Sequence, residues 1–167
     1  MERISVLILF GSQSDMVPWE DGFSLLDRLK IDFEAQVSSA HRMPDRTRKL
    51  VKSAEKRGAK AVIACAGMAA HLAGVVASET LLPVIGVPLS AGPFQGQDSL
   101  LSTVQMPAGV PVATVTVGPA GPVNAVVLVG EILALSDRNL RERLRSYRSQ
   151  WVKKAPKKPV RKRKSPK

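Results

Sequence analysis

The chain is poor in the residues that carry out most enzyme chemistry. Its 167 residues include one cysteine, two histidines, one tyrosine and two tryptophans, and aromatics make up only 4% of it. A lone Cys65 excludes an internal disulfide and fits a reducing compartment, where a thiol in an apolar run reads as a small core residue. Two histidines and one cysteine lack the spacing of a zinc site, so no metal is expected. An apolar run begins almost at the N-terminus, without the basic segment, apolar stretch and cleavage site of a secretory signal. Between Thr80 and Gly130 the only charge is Asp98. Pro83, Pro88, Pro93, Pro107, Pro111, Pro119 and Pro122 interrupt that stretch, so no span of ~20 apolar residues survives to cross a membrane. No membrane contact and a cytoplasmic location are therefore expected. Acid is missing from residues 153–167, which hold nine of the basic residues. Of the formal net charge of +11, only +2 is left for residues 1–152. The expectation is one folded domain over 1–152 and a basic tail too charged to fold alone.

What is present is an alternation of short apolar runs and helical periodicities. Residues 4–10, 32–38, 60–65, 84–87 and 111–117 read as strands. Helices are expected over about 19–30, with Pro18 opening the first turn, and over 44–57, with Gly58 as its stop. Further helices are expected over 69–78, 98–105, 122–135 and 137–152. The 122–135 segment is apolar nearly all round, which suggests burial against a second subunit. Strands alternating with helices imply an α/β fold: a parallel sheet with helices on both faces.

In such a fold, loops at the C-terminal ends of the strands share one edge, where open sheets bind ligands. Three polar loops leave that edge. Gly11-Ser12-Gln13-Ser14-Asp15 can offer backbone N–H groups, hydroxyls and a helix N-terminus to an anion, or a carboxylate to ribose hydroxyls. Ser14 or Asp15 would equally serve as a helix cap. The segment is neither a Walker loop nor a Gly-x-Gly-x-x-Gly turn. Ser38-Ser39-Ala40-His41-Arg42 places a guanidinium fork suited to phosphate beside a histidine suited to proton transfer. Ala66-Gly67-Met68-Ala69-Ala70-His71-Leu72 has small residues that let backbone approach a ligand closely, with His71 in the first turns of the next helix. Asp98-Ser99-Leu100-Leu101 and Gln105-Met106-Pro107 read as a helix start and end, with no chemistry assigned.

Taken together these segments resemble the PurE family, the 5-(carboxyamino)imidazole ribonucleotide mutases of de novo purine synthesis. The resemblance runs from about residue 4 to about residue 150. It rests on Gly-Ser-x-Ser-Asp, Ser-Ala-His-Arg, Ala-Gly-x-Ala-Ala-His-Leu, Leu-Pro-Val-Ile-Gly-Val-Pro, Asp-Ser-Leu-Leu-Ser and Val-Gln-Met-Pro-x-Gly-Val-Pro-Val-Ala-Thr in order. It implies a flavodoxin-like three-layer α/β/α sandwich, a homo-octamer, and transfer of a carboxylate from the exocyclic nitrogen to ring carbon four without ATP or cofactor. By position it makes His41 the general acid/base and sets His71 with the Gly67 loop around the migrating carboxylate. Ser12 and Asp15 fall at the ribose phosphate end, with Ser39 and Arg42 on the phosphate. Ser14, Gly67, Met68 and Leu72 complete the implied substrate site. The His71 segment is closer to the mutase class than to the class that fixes carbon dioxide directly. Met68 departs from the pattern, standing where the family has a second glycine, so a positive φ there would strain it. Met16 and Ala73 replace the usual Trp and Pro, and the basic tail is additional. Two alternatives stay open: a PurE-like carboxylase or decarboxylase acting on another nucleotide, and weak nucleic-acid contact through residues 153–167.

Overall fold

Val6–Phe10 (β1) is apolar at every position because both faces of its sheet are covered. In the computed structural model, which describes residues 3–154, it is flanked in parallel by Phe33–Val37 (β2) and Ala61–Gly67 (β3). Val84–Leu89 (β4) and Ala113–Thr114 (β5) extend the sheet to the order β2-β1-β3-β4-β5. The flavodoxin-like order reverses between β1 and β3, the switch point at which such sheets leave a crevice for ligands.

Side-chain alternation sends Val6, Ile8 and Phe10 to one face and Leu7 and Leu9 to the other. The first face packs against helices Glu20–Leu29 (α1), Ala120–Leu133 (α5) and Arg138–Lys154 (α6). The second packs against Pro44–Lys56 (α2), Leu72–Glu79 (α3) and Gln97–Val104 (α4). Gly86 in β4 admits α4: a Cβ there would lie 2.3 Å from Thr103 Cγ2 and 2.8 Å from Val112 Cγ1.

Several boundaries differ from the periodicity. A 3-10 helix over Gln13–Trp19 precedes α1 and contains Pro18, so α1 begins at Glu20 and its positive end is not at the Ser12 loop. The cause is Trp19, fully buried edge-on to Phe10 at 5.5 Å and close to Phe23, which pins the segment under the end of β1. Phe10, Trp19, Phe23 and Phe33, four of the chain's seven aromatics, form one connected cluster on this face of the sheet. β5 keeps only two residues of the expected 111–117. It is the edge strand, and Pro111 has no N–H to give to a ladder. α3 starts at Leu72 rather than near 69, with His71 as its N-cap residue. The apolar residues of α5 pack on α1, α6 and β4 of the same chain, and Val123, Val127, Leu128, Ile132 and Leu133 stay only partly buried there. Cys65 is fully buried, and burial pushes its thiol well above the ordinary value, with the Asp15 charge adding to the effect. Among the described residues no helix is long and apolar enough to cross a membrane. Residues 155–167, most of the expected tail, lie outside the described residues, and α6 continues to Lys154.

Candidate active site

β1 and β2 end in register, with Phe10 opposite both Val37 and Cys65, and β3 runs on two residues to Gly67 beside β4. The backbone continues this alignment past the strands: Ser38 N–H donates to Phe10 O at 2.8 Å, and Gly11 N–H to Cys65 O at 3.0 Å. Three loops therefore leave one edge side by side, the β1 loop in the middle. They enclose a pocket of about 410 Å³ at the β1/β3 switch point. Nine of the expected residues line it: Ser12, Ser14 and Asp15 from the first loop, Ser39, His41 and Arg42 from the second, and Gly67, Met68 and Leu72 from the third. His71 reaches the pocket through His41.

The first loop is a proton-ordered chain. Ser12 Oγ donates to Asp15 Oδ2 at 2.9 Å, which uses its only proton. Ser14 Oγ, 2.8 Å away, must then donate to Ser12. Burial raises the Asp15 carboxyl above its ordinary value, and the Ser12 hydroxyl and the backbone N–H groups of Ser12 and Gly67 work against that rise. What the loop offers a ligand is acceptor capacity, on a carboxylate and on Ser14. That suits sugar hydroxyls better than phosphate oxygens. The N-cap residue of the 3-10 helix is Ser12, which makes no side-chain cap bond, and Ser14 and Asp15, expected as caps, lie inside that helix.

In the second loop, Ser39 is buried and its Oγ accepts the Arg42 N–H at 3.3 Å. Its own O–H is left to donate, beside the exposed Arg42 side chain. A hydroxyl donor and a guanidinium make this side of the pocket the one fitted to an anion.

Between the second and third loops the two imidazoles meet. His41 Nε2 and His71 Nδ1 are 2.9 Å apart, with ring planes at 87°. One nitrogen must carry a proton and the other a lone pair, so the contact shares one proton between two bases. Gly67 is required by space, since a Cβ there would sit 2.7 Å from Ala91 Cβ. Met68 has φ of +56°, the left-handed region, and its side chain lies exposed at the pocket's lip against Gly92. The strain foreseen for a non-glycine residue is therefore present. No group of three or more His, Cys, Asp or Glu able to hold a metal occurs among the described residues.

The AIR carboxylase family model matches residues 5–154. This chain belongs to the AIR carboxylase family. It is 49% identical to the N5-carboxyaminoimidazole ribonucleotide mutase of Brucella melitensis over 145 residues, covering 87% of this chain and 90% of that one. It is 48% identical to the mutase of the same name from Bacillus subtilis, covering 82% and 85%. The crystal structure of Treponema denticola PurE superposes with a TM-score of 0.79 at 28% identity, covering 91% of this chain and 94% of that one.

Two residues at or behind this pocket were not legible as chemistry. Ala91, on the loop after β4, also lines the pocket. The rule that loops at the carboxyl edge build the site would have included it. Ser102 of α4 touches the third loop, and nothing in its spacing distinguishes it from a helix-surface serine.

Proposed function

We propose that this chain is an N5-carboxyaminoimidazole ribonucleotide mutase of purine biosynthesis. The observation that carries the proposal is the His41–His71 contact of 2.9 Å at a pocket with sugar-hydroxyl acceptors on one side and an anion-binding hydroxyl and guanidinium on another. Those three chemistries match base, ribose and phosphate of a ribonucleotide.

In the reaction the bond from the exocyclic nitrogen to the carboxylate carbon breaks, and a bond from ring C4 to that carbon forms. The nitrogen gains a proton and C4 loses one, so protons balance without a net acid or base. An imidazole has one nitrogen that can give the first and, once deprotonated, take the second. His41 has that role, with His71 as the neighbour that accepts or returns a proton. Gly67, Ala66 and Ala69 give a close, apolar wall that would keep a released carboxylate carbon beside C4. Ser39 and Arg42 hold the phosphate, and Asp15, ordered by Ser12 and Ser14, takes the ribose hydroxyls. Remote phosphate binding then fixes the ring against His41.

The test is conversion of 5-(carboxyamino)imidazole ribonucleotide to its carbon-linked isomer without ATP. His41→Asn should cut kcat by at least ~100-fold while KM changes little. A variant at the wild-type rate removes His41 from the chemistry. Met68 at the lip, where the family pattern has glycine, favours a second substrate or carboxyl donor as the competing assignment. Activity only on aminoimidazole ribonucleotide with bicarbonate, or only on a non-purine nucleotide, would select it.

Assembly into a homo-octamer is part of the proposal, with Phe94, just before α4, and Leu100, Leu101 and Val104 on it, all exposed apolar residues, as contact surface. Sedimentation should give eight times the 18.0 kDa chain mass, and a monomer would count against it. The cytoplasm is the proposed location, and recovery in a membrane fraction would contradict it.

A further inference from the structure

Helix α4 turns three hydroxyls toward the rest of the fold. Ser99, fully buried, has its Oγ–H 2.8 Å from Leu89 O and 3.0 Å from Gly96 O. Thr103 Oγ1 donates to Ser99 O at 2.7 Å. Ser102 Oγ donates back to Asp98 O at 2.7 Å and accepts the Ala70 N–H at 2.9 Å. Because the helix carbonyl takes the Ser102 proton, a lone pair is left facing Ala70.

The turn that receives this bond is locally weak. Met68 has φ of +56°, Ala70 N–H lies 2.9 Å from Met68 O, and His71 N–H lies 2.8 Å from Ala69 O. These are two successive three-residue turns following a left-handed non-glycine residue: Met68 carries the conformational cost, and turns this short add little to hold the segment in place. Ala70 is buried and immediately precedes His71, whose Nδ1 must stay within reach of His41 Nε2.

We propose that Ser102 is a positioning residue: by anchoring the Ala70 amide to α4, it holds His71 in hydrogen-bond contact with His41. Ser102 touches no reacting atom. The proposal rests on the mutase assignment for its kinetic consequence, but not for its geometric one. The Ser12, Asp15, Ser39 and Arg42 side chains stand on other loops, so substrate binding should not depend on Ser102.

The test compares Ser102→Ala with Ser102→Thr in the full chain. Thr keeps both the back-bond to the helix and the lone pair, as Thr103 does one position on. In crystal structures without substrate, Ser102→Ala should open the His41 Nε2 to His71 Nδ1 separation beyond 3.5 Å, and Ser102→Thr should retain contact. In turnover, Ser102→Ala should lose about tenfold in kcat with KM within about twofold, and Ser102→Thr should restore kcat. If the alanine variant does not fold, Ser102→Cys, with a weaker acceptor, gives the same comparison. Ring contact unchanged in Ser102→Ala overturns the proposal whatever the kinetics. A rise in KM at constant kcat, or equal loss in Ala and Thr, also overturns it. If the wild type fails to turn over the nucleotide, the mutase assignment falls, and the imidazole separation still decides the role of Ser102.

Discussion

Gly86→Ala should destabilise the protein although it adds one methyl group to an apolar interior. The added Cβ would lie 2.3 Å from Thr103 Cγ2 and 2.8 Å from Val112 Cγ1, on the face of β4 against which α4 packs. Ordinary carbon contacts are about 3.5–4.0 Å, so the first overlap exceeds about 1 Å. Overpacking typically costs about 1–3 kcal/mol, and a clash with two neighbours at once belongs at the upper end. The gain in strand propensity over glycine, about 0.5–1 kcal/mol, offsets only part of that. The net loss is about 2 kcal/mol, or a fall in Tm of about 4–8 °C for a domain of this size. Thr103→Ser removes Cγ2 while keeping the hydroxyl that bonds Ser99 O. Alone it should cost about 1 kcal/mol for the lost methyl. In the double variant it should instead recover stability, an interaction energy of about 1 kcal/mol or more measured by calorimetry in a double-mutant cycle. If Gly86→Ala melts within about a degree of wild type, or if the two changes simply add, then the close approach of α4 to the sheet is not what Gly86 provides.

Two further outcomes follow from the site. Met68→Gly should raise Tm by about 1–4 °C, because relief of the left-handed conformation, worth about 1–2 kcal/mol, exceeds the entropy cost of glycine. Met68→Ala should show no such gain, and a lower Tm for Met68→Gly would contradict the strain. Asp15 should impose a pH dependence of defined sign. Burial sets its folded pKa above the unfolded value, so between the two the folded chain binds more protons. Stability should fall as pH rises through that window, and Asp15→Ala should lose this slope in urea unfolding across pH. Substrate affinity should run the other way, weakening as pH falls and the acceptor for ribose hydroxyls becomes protonated. A KM flat across the window would remove Asp15 from binding.

The sheet and the three pocket loops were legible because their signals are local. Runs such as Val6–Phe10 have no polar residue to place, and polar residues directly after them can only stand at the strand end. The helix stop at Gly58 was equally readable, and its φ is +94°. What failed depended on distant contacts. Pro18 looked like a helix start, but the burial of Trp19 against Phe10 decides where α1 begins. Residues 111–117 have strand composition, but β5 is at the edge, and pairing survives only over Ala113–Thr114. The all-round apolar pattern of α5 did not say which of its residues α1 and α6 of the same chain would cover. His41 and His71 were each suspected singly. Their mutual contact depends on β1 separating β2 from β3, which no spacing between residues 41 and 71 encodes.

The central claim is that loops after three neighbouring strands form one receptor for a ribonucleotide. A crystal structure with the carbon-linked product bound tests it most directly. The phosphate should lie against Ser39 and Arg42, the ribose against Asp15, and the imidazole ring against His41. A nucleotide seated elsewhere, or one with its phosphate on the Ser12–Asp15 loop and its ring away from His41, would contradict it.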